Sequence, residues 1–111
     1  MEITARPWGN FSTIAVGDNY KIKILYIKKG EMISLQYHEK RIERWQILKG
    51  KGIIDVNFQK ENVQKDNYIR IPMFVPHRVE AIEDLTILEI QEGECDETDI
   101  VRLEDKYGRS N

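Results

Sequence analysis

Helical periodicity is scarce in this sequence, and what dominates instead is short runs of β-favouring residues. The single cysteine, Cys95, excludes an intrachain disulfide and fits a reducing compartment. No apolar run is long enough to span a bilayer, and the opening MEITARPWGN lacks the apolar stretch of a signal peptide. A cytoplasmic protein is the expectation. A net charge of −2 provides no surplus of positive charge for holding nucleic acid or an anionic membrane, so neither is expected as a partner. There is no internal repeat and no low-complexity linker, so residues 1–111 read as one domain, long enough for one real core.

The β-rich runs are Phe11–Val16, Tyr20–Lys28, Met32–His38, Glu43–Leu48, Gly52–Gln59, Tyr68–Ile71, His77–Ile82 and Leu85–Gln91. Gly17-Asp18-Asn19, Lys29-Gly30-Glu31, Lys49-Gly50-Lys51-Gly52 and Glu83-Asp84 separate several of them and tolerate tight turns. Regular spacing of this kind predicts an all-β sandwich or small barrel. The tail predicts the one helical turn, over Ile100–Lys106 with Thr98 or Asp99 as its cap. The lysines Lys21, Lys23, Lys28 and Lys29 read as a solvated strand edge. Trp8 and Trp45 read as core or subunit-contact aromatics.

Between Gly30 and Gly50, Gln36, His38 and Glu43 stand at intervals that suit one metal ion, and His77 follows Pro72 in a later segment. Residues two apart in a strand share a face, so Gln36 and His38 point together, Glu43 points with Trp45 and Ile47, and His77 with Val79 and Ala81. A buried carboxylate beside histidines is unfavourable unless paired or bound to a metal. A Q-x-H pair alone is ordinarily two polar strand residues; the signal lies in the set of four. Imidazole, carboxylate and amide oxygen together suit one divalent ion, zinc, manganese, cobalt, nickel or iron, and the donor set does not choose among them.

These residues resemble the cupin superfamily. Gly30, Gln36, His38, Glu43 and Gly50 fall on the frame of its first motif, with Gln36 where the first histidine usually stands. Asp66, Pro72, Phe74, His77 and Ala81 fall on the second, where only Pro72 and His77 keep the motif's residue types. Within cupins the chain is similar to the type II phosphomannose isomerase domain of mannose-phosphate isomerase/guanylyltransferase enzymes. Arg6-Pro7-Trp8-Gly9-Asn10-Phe11, Ser34-Leu35-Gln36-Tyr37-His38 with Arg41-Ile42-Glu43-Arg44-Trp45, and Asp99-Ile100-Val101-Arg102-Leu103-Glu104-Asp105-Lys106-Tyr107-Gly108-Arg109 carry the likeness. In that group glutamine is usual at the first ligand position. Lys40 and Arg44 depart from it, standing where histidines are frequent; Phe74 replaces a glycine and Ala81 an asparagine. No Gly-rich nucleotide loop is present.

The resemblance implies a cupin (double-stranded β-helix, jelly-roll-like) fold and a metal-dependent isomerase that interconverts mannose 6-phosphate and fructose 6-phosphate through a cis-enediol. It implies Gln36, His38, Glu43 and His77 as ligands. Arg102, Glu89 and Lys40 are the catalytic candidates, Glu89 and Lys40 as possible bases. Arg102 and Arg109, then Arg41 and Arg78, are the candidates for binding the substrate's phosphate. The tail would close over the barrel mouth. One alternative is a cupin that binds a sugar phosphate or nucleotide sugar without turnover, as a partner of a separate guanylyltransferase. Another is a different metal-cupin reaction, which would leave the closing DIVRLEDKYGR unexplained. The apolar row Ile33, Leu35 and Tyr37, opposite Gln36 and His38, needs a cover from a second sheet or a second subunit, and a homodimer is expected.

Overall fold

The computed structural model describes residues 2–109 and contains eleven strands and no helix among them. The strands are β1 (Glu2–Arg6), β2 (Gly9–Val16), β3 (Tyr20–Ile27), β4 (Leu35–Tyr37), β5 (Arg41–Lys49), β6 (Lys51–Val56), β7 (Gln59–Gln64), β8 (Tyr68–Ile71), β9 (His77–Ala81), β10 (Leu85–Gly93) and β11 (Val101–Glu104). They form two antiparallel sheets, ordered β1-β2-β3-β10-β5-β8 and β11-β4-β9-β6-β7. The inner faces enclose a core that includes Phe11, Leu25, Ile27, Trp45, Ile47, Ile54, Val79, Leu85 and Ile87. Strict alternation drives this packing: β5 and β10 bury every second residue along most of their length.

The eight expected strands are present, Tyr68–Ile71 with the bounds expected for it and the others with shifted ends. Met32–His38 shortens to β4, and Met32 keeps only an isolated bridge to Glu80. Gly52–Gln59 overran a hairpin: Asn57 and Phe58 take positive φ of 54° and 64°, and the chain returns as β7. The sequence lacks the Asn-Gly pair that ordinarily marks such a turn.

The expected helical turn over Ile100–Lys106 is instead the edge strand β11, paired with β4. A short strand such as β4 leaves unpaired backbone groups, and β11 satisfies them. Asp99 does cap amides, but those of Glu39 and Lys40 across the fold, at 2.9 and 3.0 Å. Ile33 and Leu35 are buried within the chain itself, so it covers that part of the apolar row without a second subunit.

Four positions of the two-motif frame, Gly30, Gly50, Asp66 and Phe74, all take positive φ. At Gly50 a Cβ would also stand 2.2 Å from the Asp84 carbonyl oxygen, so only glycine fits. Asp66 and Phe74 thus keep a backbone shape suited to glycine without glycine itself.

Candidate metal centre

The site forms where the two sheets face each other. In one sheet, cross-strand rungs align Lys21, Gln91, Glu43 and Ile71, then Lys23, Glu89, Trp45 and Ile69. In the other, Arg102, Gln36 and His77 share a rung. His38 follows directly after β4. Side-chain nitrogen and oxygen atoms of His38, Glu43 and His77 lie within 4.8 Å of one another, and all three residues are buried.

Each imidazole is held from behind. His38 Nδ1 lies 2.7 Å from the Asp99 carbonyl oxygen and His77 Nδ1 2.9 Å from that of Val75. A carbonyl only accepts, so both Nδ1 atoms carry hydrogen. In the neutral rings both Nε2 atoms then present lone pairs, the arrangement a metal-binding histidine needs.

Glu43 lies between them. Its Oε2 is 3.2 Å from His38 Nε2 and accepts from Arg41 Nη2 and Nε at 3.0 and 3.1 Å. Its Oε1 faces His77 Nε2 at 3.5 Å, and these two buried atoms have no hydrogen-bond partner. Two lone-pair-bearing atoms left in this way are what a divalent cation would satisfy, so the residues fit a metal. Gln36 completes the set less directly. Its amide nitrogen is 3.4 Å from His38 Nε2, while its oxygen accepts from Ser34 Oγ at 2.6 Å. A half-turn of the amide presents the oxygen to the cluster and lets Ser34 accept instead.

Burial opposes ionisation of Glu43, but the close approach of the His77 side chain and the fixed positive charge of Arg41 hold its carboxyl well below the usual carboxylate range. Burial, reinforced by Arg41 and His77, keeps the His38 imidazole below its ordinary value despite the attraction of Glu43. A neutral imidazole and an ionised carboxylate are the forms that ligate.

A cavity opens beside this cluster, lined by Gln36, Arg41, Glu43, Glu89 and Gln91 on its inner side and by Arg6, Arg102 and Arg109 on another. Glu89 accepts from Trp45 Nε1 at 3.0 Å and from Gln91 Nε2 at 2.7 Å. Burial first, then the charge of Glu43, raises its carboxyl to about 7. Arg102 is pushed below its ordinary value by burial, then by Arg109 and Arg6, so three cations converge here. Arg109 is steadied by Asp105, at 2.9 and 3.1 Å. The segment between β10 and β11 crosses over the cluster, taking Arg41 Nη1 on the Asp96 carbonyl at 3.0 Å as well as His38 on that of Asp99.

Of the residues expected from sequence, Gln36, His38, Glu43, His77, Glu89, Arg41, Arg102 and Arg109 gather at this site. Two do not. Lys40 is largely exposed and faces Glu94 at 3.6 Å, away from the cavity lining. Its strand neighbour Arg41 takes the inward position, so Lys40 has no reach as a base. Arg78 sits between the buried His77 and Val79 on β9, so alternation sends it outward, where it donates to the Ile33 carbonyl at 3.2 Å and faces Glu104 at 3.7 Å. Sequence reasoning missed Arg6, Gln91 and Lys23. Lys23 is 4% exposed and faces the cavity, in place of the solvated edge expected for it. Its one signal was parity with Leu25 and Ile27, obscured because Ile22, Ile24 and Tyr26 make the other face of β3 apolar too.

Residues 2–105 match the family described as mannose-6-phosphate isomerase C-terminal. The chain belongs to this family. Its relatives include the mannose-1-phosphate guanylyltransferase ManC of Salmonella typhimurium, 34% identical over 94% of this chain and 22% of that protein. Another is the xanthan biosynthesis protein XanB of Xanthomonas campestris, 33% identical over 95% of this chain and 23% of that protein. The chain thus spans about a fifth of the length of the curated relatives it matches. Among solved structures, an RmlC-like cupin from Shewanella frigidimarina aligns with a TM-score of 0.81 at 11% identity, covering 87% of each chain. The fold is therefore the cupin fold, and the cluster that could hold a metal in this family member lies inside it. No helix among the described residues is long and apolar enough to cross a membrane.

Proposed function

We propose that this protein is a metal-dependent aldose–ketose isomerase that interconverts mannose 6-phosphate and fructose 6-phosphate. One observation carries the reading: the buried cluster of His38, Glu43 and His77 adjoins a cavity that also holds a near-neutral carboxyl, Glu89, and three converging arginines. The family match supports the same substrate class.

A divalent ion held by His38, Glu43, His77 and Gln36, zinc first, would supply Lewis-acid polarisation of a substrate carbonyl. Arg6, Arg102 and Arg109 hold the phosphate, with Arg109 preset by Asp105. Glu89, whose carboxyl titrates close to neutrality, moves the proton between the two reacting carbons. Arg41 binds Glu43 Oε2 and leaves Oε1 free.

A second reading, binding of a sugar phosphate without turnover, is favoured by one contact: Arg41 already neutralises Glu43, so the charge of that carboxylate is paired without a metal. Proton NMR of mannose 6-phosphate with the zinc- or manganese-loaded protein separates the two. Fructose 6-phosphate should appear, and should disappear with chelator or in Glu43→Ala. Line broadening without conversion under either metal would replace the isomerase with the binding protein.

A further inference from the structure

A lysine is rarely buried unless its ammonium has a task or a partner. Lys23 is 4% exposed, in the middle of the inward row of β3, with Leu25 and Ile27 beyond it. Its stem leads into the cavity that Gln36, Glu43 and Glu89 line. Directly across the ladder stands Glu89, at the register position where inward side chains are cross-strand neighbours.

Those two groups do not simply pair off. Glu89 is hydrogen-bonded by Trp45 and Gln91. The Lys23 ammonium instead reaches Glu97 and the face of Phe11, 4.2 Å from the ring centroid. Glu97 belongs to the segment between β10 and β11, its side chain is 47% exposed, and Lys21 shares it at 3.4 Å. A lysine whose role is only to stabilise the core would be matched by a buried acid. This one is matched by a half-exposed acid on a surface segment that has a second lysine beside it. Such a partner can be given up when another anionic oxygen enters.

We infer that Lys23 is a catalytic residue that touches the bound sugar phosphate, donating from its ammonium to the oxygens of the two reacting carbons while Glu89 serves the carbons themselves. The inference rests on the isomerase reading for its chemistry. As the proton on C2 passes to the Glu89 carboxylate, the C–H electron pair forms the C1–C2 double bond and the carbonyl pair moves onto O1. Lys23 gives O1 a proton. When Glu89 returns its proton to C1, the O2 hydroxyl becomes the carbonyl and its proton passes to Lys23, which ends unchanged. Two protons move and both residues are restored.

The test compares Lys23→Met with wild type in two readouts on the full chain. Calorimetric titration with mannose 6-phosphate, with zinc and with chelator, should give at least tenfold weaker binding in the variant. Turnover with zinc should fall at least a hundredfold in kcat/KM, mostly in kcat, with bound zinc per chain unchanged. Both losses should persist when Lys23→Met is introduced into Glu97→Gln, because the contact with substrate does not depend on Glu97. Equal affinity in Lys23→Met, or a loss reproduced in full by Glu97→Gln with nothing added by the second substitution, would show Lys23 to be only that segment's anchor. Should Lys23→Met fail to fold, Lys23→Gln is judged by the same values. If wild type binds the sugar phosphate but does not convert it, the isomerase reading falls, and the affinity comparison still judges Lys23 as a ligand contact. Absence of binding to wild type overturns both.

Discussion

The inner face of one sheet is two surfaces on one backbone. Along β5 the inward row runs Arg41, Glu43, Trp45, Ile47; along β10 it runs Gln91, Glu89, Ile87, Leu85; along β3 it ends Lys23, Leu25, Ile27. The rungs lock these together: Glu43 with Gln91, Trp45 with Glu89 and Lys23, Ile47 with Ile87 and Leu25. One end of the barrel is therefore ionic and the other aliphatic, and the Trp45 indole spans the boundary with its N–H on Glu89. The hydrogen-bond ladder runs through both ends, so what distinguishes them is side-chain chemistry. At the aliphatic end every buried methylene stabilises the fold. At the ionic end each charge opposes folding until paired, and Glu89 has neutral donors where Glu43 has Arg41.

If the two ends are separable, damage to the aliphatic end should leave the metal site alone. Ile47 is fully buried. Ile47→Ala should lower unfolding free energy by about 3–4 kcal/mol in urea titrations, through lost burial and the cavity left behind. Zinc affinity of the folded fraction should stay within about threefold, since Ile47 stands four strand residues from Glu43 on β5, about 13 Å at the usual rise, and sites that far apart usually add independently. A tenfold loss of zinc affinity would break the comparison and make the aliphatic end part of the site's support.

The ionic end should respond in the opposite sense. The Glu89 carboxyl is raised from 4.5 to about 7 in the folded protein. Between those values the folded state holds a proton that the unfolded state has released. Stability therefore falls as pH rises through that window and does not recover above it. Glu89→Gln keeps the shape and removes the charge, so the metal-free variant should be more stable than wild type by roughly 3 kcal/mol at pH 8 and indistinguishable near pH 4. Thermal melts across pH measure this. On the isomerase reading, the same change should reduce conversion of mannose 6-phosphate by the zinc-loaded protein at least a hundredfold. A variant less stable at pH 8 would mean that Glu89 is ionised and paired in the fold.

Much of this division was legible in the sequence. Parity alone placed Glu43 with Trp45 and Ile47, and His77 with Val79 and Ala81, on single faces, and the structure buries all six. What stayed hidden depended on contacts distant in sequence. Val101–Glu104 becomes a strand because β4 offers it an edge, and nothing local to Ile100–Lys106 reveals that edge. Lys23 is central because β2 and β10 flank β3. Arg41 turns inward while Lys40 stays out because β5 begins at Arg41, a start two residues earlier than the apolar pattern showed.

The smallest effect concerns the loop beside the site. Phe74 holds φ at 65°, its N–H donates to the His38 carbonyl at 2.7 Å, and its side chain is 58% exposed. A side chain in this region of backbone space raises the energy by about 1 kcal/mol, which glycine avoids. The ring offsets little of that: its contact is a tilted one with Tyr37 at 6.4 Å. Phe74→Gly and Phe74→Ala both remove the ring, and only glycine relieves the backbone. The glycine variant should therefore be the more stable of the two by about 1 kcal/mol in urea titrations, even though glycine gains more freedom on unfolding. Zinc affinity should be equal in both, because the His38 carbonyl bond uses only the backbone at this position. If alanine proves as stable as glycine, the loop is unstrained, and the phenylalanine stands at a glycine position of the cupin frame without penalty. If glycine wins while zinc affinity drops below wild type in both variants, the ring itself helps hold His38, and the ionic end extends one residue further than the inward rows suggest.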